Sequence, residues 1–379
     1  MKIAYSFTNF MHCIYDKQRP KICYEALFLL KFVLCNDTGY MMRQIIWLGF
    51  ISLFFLSFTT YSDTTFTKRK DVQSFINMMV TNYHFNRNQL TTVMNQVKLQ
   101  PQVIESMEKP YEKKNWDVYR ELFLTQKRLK SGLQFWSENQ KTLEKIQRRY
   151  GVSPEIIIAI LGVETMYGER QGEYRVLDTL ATLAFNYPKR SAFFTKELKE
   201  FFLLCREQHV SPTQYKGSYA GAIGKPQFMP SSYRYYAVDF NNNGRRDLVN
   251  DNGDSIASIA NYLHKHGWNL NQGIAQPAKI SGWRYKQLRM NPKTANYRYS
   301  QLISFGVKPI TASQNHPSRA GVIELVTRKG KEYWIAYPNF FVITRYNSSP
   351  QYALAVYLLS QQLKQHWYTS ATKRHRAYV

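Results

Sequence analysis

Between Gly151 and Gly168 lies the run Ile156-Ile157-Ile158-Ala159-Ile160-Leu161-Gly162-Val163, apolar on every face a helix can present. Such a segment has to be enclosed by other elements. Gly151-Val152-Ser153-Pro154-Glu155 before it reads as a helix start, with Ser153 as N-cap, Pro154 at the first helical position and Glu155 at the positive end of the dipole. Gly168 is the expected C-cap. Glu164 follows the run, with Ile157, Ile160 and Leu161 on its own side and the negative end of the helix dipole close by. Both surroundings disfavour ionisation, so a raised pKa is expected, as a general acid working near neutral pH requires. From this residue alone a second reading stays open: a glutamate at a helix end that faces solvent or pairs with Arg170 or Arg175.

Three other stretches carry chemistry. In the run from Lys216 to Pro230, Gly217, Gly221 and Gly224 precede Gln227-Phe228-Met229-Pro230. Close backbone approach, an amide and an aromatic face suit a ligand site, although a glycine-rich turn before a helix has the same composition. Asp239-Phe240-Asn241-Asn242-Asn243-Gly244 places side-chain oxygens at positions 1, 3 and 5 and glycine at 6, as in an EF-hand loop. Position 12 is Asn250, which cannot supply a bidentate carboxylate, and Asp251 and Asp254 lie just beyond it. Calcium binding and a solvated polar turn both remain open. Thr344-Arg345-Tyr346-Asn347 with Tyr352 suits sugar binding, and equally ordinary packing.

The surrounding chain reads as mainly α, in the α+β class. From Lys68 to about Tyr150, Val72-Ile76-Met79-Val80 and Leu122-Leu129-Leu133-Trp136 recur at helical steps. Further helices are expected at Val176–Phe185, Lys189–Glu207, Ser255–His264 and from Pro350 to about Trp367, and short strands at Gln301–Val307, Gly321–Val326 and Glu332–Tyr337. The expected division is a leader over 1–62, an N-terminal helical domain over 63–150, a core over 151–279, a small β insertion over 280–338 and a return to the core over 339–379.

Arg43, the apolar stretch Ile45 to Phe58 and Thr59-Thr60-Tyr61-Ser62 have the order of a secretory signal ending near residue 62, with an uncleaved anchor as the alternative and Met41 or Met42 as an alternative start. Beyond residue 62, 45 basic residues face 23 acidic ones, so the remainder keeps a charge of +22. That excess suits an anionic partner: nucleic acid, membrane surface or cell wall. Export and the absence of a recognised module argue against nucleic acid. Cys205 alone survives removal of the leader, so no intrachain disulfide is expected and packing must supply stability.

Gly162-Val163-Glu164-Thr165, Leu180 through Pro188, Gly221 through Tyr233, Asn261-Tyr262 and Ile343 through Asn347, in this order, resemble the motifs of the B-type lytic murein transglycosylases. The resemblance spans about Lys68 to Trp367 and implies a lysozyme-like core. It implies that Glu164 alone cuts the β-1,4 bond between N-acetylmuramic acid and N-acetylglucosamine, acting as acid and then base and leaving 1,6-anhydromuramyl ends. Tyr119, Lys189, Arg190, Ser218, Gln227, Phe228, Tyr262, Tyr346, Asn347 and Tyr352 would bind the glycan and its peptide stems. Asp239, Asn241, Asn243, the Arg245 carbonyl and Asp254 would form a weak structural calcium site, with no cofactor required. Lys189 stands where the family has arginine, and Lys225-Pro226 also departs from its pattern, which bears on the shape of that loop. The implied setting is the periplasm, with the chain either free or membrane-associated, a monomer acting on peptidoglycan strands with cell-wall synthesis or division proteins as partners. A lysozyme-type hydrolase and a non-catalytic glycan-binding protein are the competing readings.

Overall fold

The computed structural model describes residues 65–109, 114–311 and 317–376. The leader over 1–62, its signal segment and the alternative starts lie outside the described residues.

The enclosed run forms α8, counting helices in chain order. Before it come α1 (Thr65–Lys68), α2 (Lys70–Tyr83), α3 (Arg87–Met94), α4 (Pro101–Glu108), α5 (Trp116–Phe123), α6 (Gln126–Glu138) and α7 (Gln140–Tyr150). Helix α8 spans Pro154–Thr165, and every residue in it except Glu164 is buried. Ser153 holds the N-cap position without a side-chain capping bond. The helix ends three residues before Gly168, with Met166 rather than glycine as its left-handed C-cap; Met166 N donates to Gly162 O at 3.2 Å and Tyr167 N to Leu161 O at 3.1 Å. The stripe Leu122-Leu129-Leu133-Trp136 spans two helices, because Leu124 terminates α5 and the Thr125 side chain caps α6 at Arg128 N. Leu122 is accordingly exposed.

After α8 come strand β1 (Tyr174–Arg175), α9 (Val176–Asn186), a 3₁₀ turn Pro188–Arg190, α10 (Ser191–Glu207), strand β2 (Lys216–Gly217), α11 (Pro230–Tyr236) and α12 (Asn252–Lys265). Helix α12 starts three residues before the expected Ser255 because Asp251 accepts Asp254 N at 2.9 Å. Strands β3 (Ala275–Ile280), β4 (Tyr297–Arg298), β5 (Val307–Pro309), β6 (Arg319–Thr327) and β7 (Gly330–Ala336) form an antiparallel sheet in the order β4-β6-β7-β3-β5, with α13 (Tyr299–Ser304) between β4 and β5. The expected strand Gln301–Val307 is therefore mostly helix. Its apolar positions do not alternate, and one helical turn buries Leu302 while Gln301 and Ser304 face out. Strand β3 went unforeseen because Pro277 sits inside it. Helices α14 (Pro338–Tyr346) and α15 (Pro350–Arg376) complete the chain, α15 running beyond Trp367.

The main core encloses α8 between α15, α6, α7 and α12. Strands β6 and β7 divide their side chains between two cores. Ile323, Leu325, Trp334 and Ala336 enter the main one, whereas Val322 and Ile335 join Leu302, Val307 and Tyr337 in a smaller cluster under the sheet. Trp116 Nε1 and Arg120 of α5 bind Glu332 of β7 at 3.0 and 3.2 Å, fixing the sheet to the N-terminal helices.

Buried Glu197 of α10 takes Ser231 N and Oγ at 2.9 and 2.7 Å, holding the start of α11. Burial raises its pKa above the ordinary 4.5 despite those bonds. The folded protein thus holds the proton more tightly than the unfolded chain, so this group detracts from stability above its raised pKa and not below 4.5. Glu197→Gln keeps a carbonyl acceptor for Ser231 N, and the serine hydroxyl can accept from the new amide. A melting-temperature gain of about 1–3 °C is expected at neutral pH, vanishing in acid; equal gains at both would contradict the assignment.

Candidate active site

Glu164 stands in the last turn of α8, half-buried between the buried residues Val163 and Thr165. Tyr352, in the first turn of α15, donates its phenol to Glu164 Oε1 at 2.6 Å. Burial, and secondly the adjacent Glu164 charge, push the phenols of Tyr352 and Tyr346 well above their usual range, so both keep their protons. A permanent donor to Oε1 orients the carboxyl. Tyr352→Phe keeps the ring and removes this bond. Turnover on isolated cell-wall sacculi is expected to fall about tenfold or more, the loss of one hydrogen bond to a charged group, with little change in melting temperature. Undiminished turnover would mean the contact is incidental.

An aromatic wall continues from Tyr352. Tyr346 stacks on it at 6.4 Å and 9°, and its phenol donates to Pro226 O at 2.6 Å. Phe228 and Tyr262 lie against Tyr346 at centroid distances of 5.7 and 4.9 Å, and Tyr262 donates to Arg345 O. The structure thus brings together Glu164, Phe228, Tyr262, Tyr346 and Tyr352 from four separate stretches of chain. Tyr119, 2% exposed on α5 beside Trp116 and Phe123, lies near enough to Tyr352 to influence its phenol electrostatically.

The glycine-rich run is folded by its own polar groups. Ser218 Oγ accepts Ala220 N and Ala222 N at 3.3 and 3.1 Å, and Ile223 and Phe228 bridge as a short antiparallel pair. Gln227, at φ 53°, gives its amide to Gln171 O and Gly224 O at 3.0 and 2.9 Å. Asn347 Oδ1 accepts Ser349 N at 3.0 Å, shaping the turn between α14 and α15. Lys189 and Arg190 are engaged with other groups. The lysine pairs with Glu108 at 2.6 Å, and the guanidinium lies 4.3 Å from the Phe193 ring centroid. A 400 Å³ cavity lined by Gln171, Tyr215, Tyr233 and Arg245 borders the glycine-rich and polar loops rather than Glu164.

Two residues outside the expected set support the acid. Buried Arg128 donates to Gly162 O at 2.8 Å and to Leu122 O at 2.5 Å, tying the last turn of α8 to the end of α5. Thr165 Oγ1 donates to Lys225 O at 2.9 Å and accepts Gly168 N at 3.0 Å, joining that turn to the glycine-rich run. An arginine in an amphipathic stripe carries no sequence mark of such a role. Thr165, adjoining the acid within a quoted motif, could have been singled out.

The polar loop is closed by its own side-chain oxygens. Asp239 accepts Asn243 N and Gly244 N at 3.1 and 2.8 Å, Asn241 accepts Asn243 N at 3.0 Å, and Asn243 accepts Arg245 N at 2.9 Å. Fully buried Asp254 accepts Phe240 N and Asp247 N, both at 2.8 Å, closing the loop onto α12. Oxygen donors fit a hard cation such as calcium, and two carboxylates beside two amides give the set little charge.

The helical core built around the enclosed helix α8, with Glu164 in its last turn, has the lysozyme-like fold. Within that fold class the chain belongs to the transglycosylase SLT domain family, whose model matches residues 67–361. It is 39% identical over 312 residues to membrane-bound lytic murein transglycosylase B of Escherichia coli K12, covering 78% of this chain and 83% of that protein. A soluble lytic transglycosylase of Pseudomonas aeruginosa superposes with a TM-score of 0.71 at 39% identity, over 77% of this chain and 98% of its own. An Escherichia coli lytic transglycosylase in complex with calcium gives 0.72 at 39% identity, over 80% and 95%.

Proposed function

We infer that this protein is a lytic transglycosylase that cleaves the β-1,4 bond between N-acetylmuramic acid and N-acetylglucosamine in peptidoglycan and leaves 1,6-anhydromuramyl ends. The observation that carries this reading is Glu164, half-buried at the end of α8 with its carboxyl held by Tyr352. Protonated Glu164 gives its proton to the glycosidic oxygen as the C1–O bond breaks. The sugar's own 6-hydroxyl then closes on C1, and its proton returns to the Glu164 carboxylate. No water enters the products, so the second carboxylate of a hydrolytic glycosidase has no task.

Phe228, Tyr262 and Tyr346 supply faces for sugar rings, with Tyr119, Ser218, Gln227, Asn347 and Tyr352 shaping the surrounding wall. Lys189 and Arg190, on the 3₁₀ turn, would meet peptide-stem carboxylates, the lysine as a point charge without arginine's planar fork. Asp239, Asn241, Asn243, the Arg245 carbonyl and Asp254 would hold calcium weakly, in a structural role supported by the calcium complex of the relative. The divisions at residues 62, 150, 279 and 338 belong to the same reading, as do export to the periplasm and membrane association, which the relative's name supports. Among the described residues no helix is long and apolar enough to cross a membrane.

Mass analysis of digested sacculi tests the proposal. Anhydromuramyl fragments are expected; fragments heavier by one water would instead mark a lysozyme-type hydrolase, and wall binding without fragments a glycan-binding protein.

A further inference from the structure

Lys225 interrupts a stretch otherwise made of glycine, small and apolar residues, and the fold leaves it only 9% exposed. Each of its parts meets a different segment. Its carbonyl accepts Thr165 Oγ1, next to Glu164, and its N–H donates to Leu248 O at 2.8 Å. Its methylenes pack beneath the turn that follows α8, so closely that a Cβ on Gly168 would lie 3.0 Å from Lys225 Cε. Its ammonium donates to Asn250 O at 2.7 Å and Asn252 Oδ1 at 2.6 Å, where the polar loop runs into α12. Burial disfavours the charge, while Asp251 and Asp247 favour it. The loop itself has asparagine at its third and fifth positions and so offers a cation little charge.

We propose that Lys225 is a positioning residue whose ammonium fastens the exit of the Asp239–Asp254 loop to the turn presenting Glu164, a task a bound cation would otherwise share. The proposal rests on Glu164 being the reacting acid. It makes the loop and the site of this chain largely indifferent to calcium.

The test uses the full chain and Lys225→Met, which keeps the apolar stem and removes the ammonium, each with a chelator and with saturating calcium. Wild type is expected to melt within about 2 °C of the same temperature in both, and to turn over sacculi equally. In chelator the variant is expected to lose about tenfold in kcat, with KM within about twofold, and to melt lower; calcium should restore both. The proposal is overturned if the variant matches wild type in chelator, if calcium does not restore it, or if wild type depends on calcium as strongly as the variant. Should Lys225→Met not fold, Asn252→Ala, which removes one acceptor of the same ammonium, decides through the same calcium-dependent melting shift, its absence overturning the proposal. If wild type cuts no sacculi the catalytic reading fails, while the melting comparison still decides the role of Lys225.

Discussion

Glu164→Gln is expected to eliminate cleavage, lowering kcat by about 10²–10⁴ or below detection. The amide has the shape of the acid, and its carbonyl oxygen can still accept the Tyr352 phenol that now reaches Oε1. The aromatic wall and the end of α8 should therefore persist, with melting temperature within about 1 °C of wild type and sacculus binding retained. Only the proton is lost, and both halves of the proposed reaction need it. Glu164→Asp sharpens the point, because it keeps an acid but withdraws it by one methylene; a loss of around 10² would show that position as well as ionisation is required. Digestion followed by mass analysis of soluble fragments measures each variant. Glu164→Gln working within tenfold of wild type would remove Glu164 from the chemistry.

The acid and its helix were legible because their signal is local. Eight consecutive apolar residues between a helix start and a glycine constrain burial whatever surrounds them, and a carboxyl at the end of such a run is conspicuous. The cap lies at Met166 and not at Gly168, because Met166 adopts a left-handed conformation that methionine rarely takes, held by its bond to Gly162 O, by the bond of Tyr167 N to Leu161 O and by packing. Strand against helix at Gln301–Val307 was decided by the smaller core beneath the sheet, which a single pass along the chain cannot reveal.

Partnership between distant residues was the least legible part. The resemblance implied a groove role for Tyr346 and Tyr352, but composition alone left them between packing and sugar binding. Their depth and the bond to Glu164 arise only when α15 lies along α8. Lys225 was visible as a departure from the family pattern. Its destination, 25 and 27 residues further on at Asn250 and Asn252, depends on how the polar loop returns to the core. Arg128 is the extreme case, since it binds a carbonyl 34 residues away in a helix whose sequence contains nothing to anticipate it.

Gly224→Ala should produce a large loss of stability, because a left-handed backbone and a backbone clash coincide there. Gly224 has φ 73°, and a Cβ there would fall onto the carbonyl of Leu248, with the carbonyl carbon only 2.7 Å away. That carbonyl receives Lys225 N, and Gly224 O receives both Gln227 N and the Gln227 amide. Relief of the clash must therefore move the segment that seats Phe228 and anchors Thr165. Left-handed backbone and displaced bonds together should cost about 2–4 kcal/mol, lowering the melting temperature by about 5–10 °C and activity by more than tenfold. Gly151→Ala separates the two causes, since Gly151 has a similar φ of 66° as C-cap of α7 but nothing within 4 Å of the added carbon. That change should cost only about 1 kcal/mol and leave turnover intact. Equal losses in the two variants would assign the effect to backbone strain alone and remove the contact with Leu248 as the reason glycine is required at position 224.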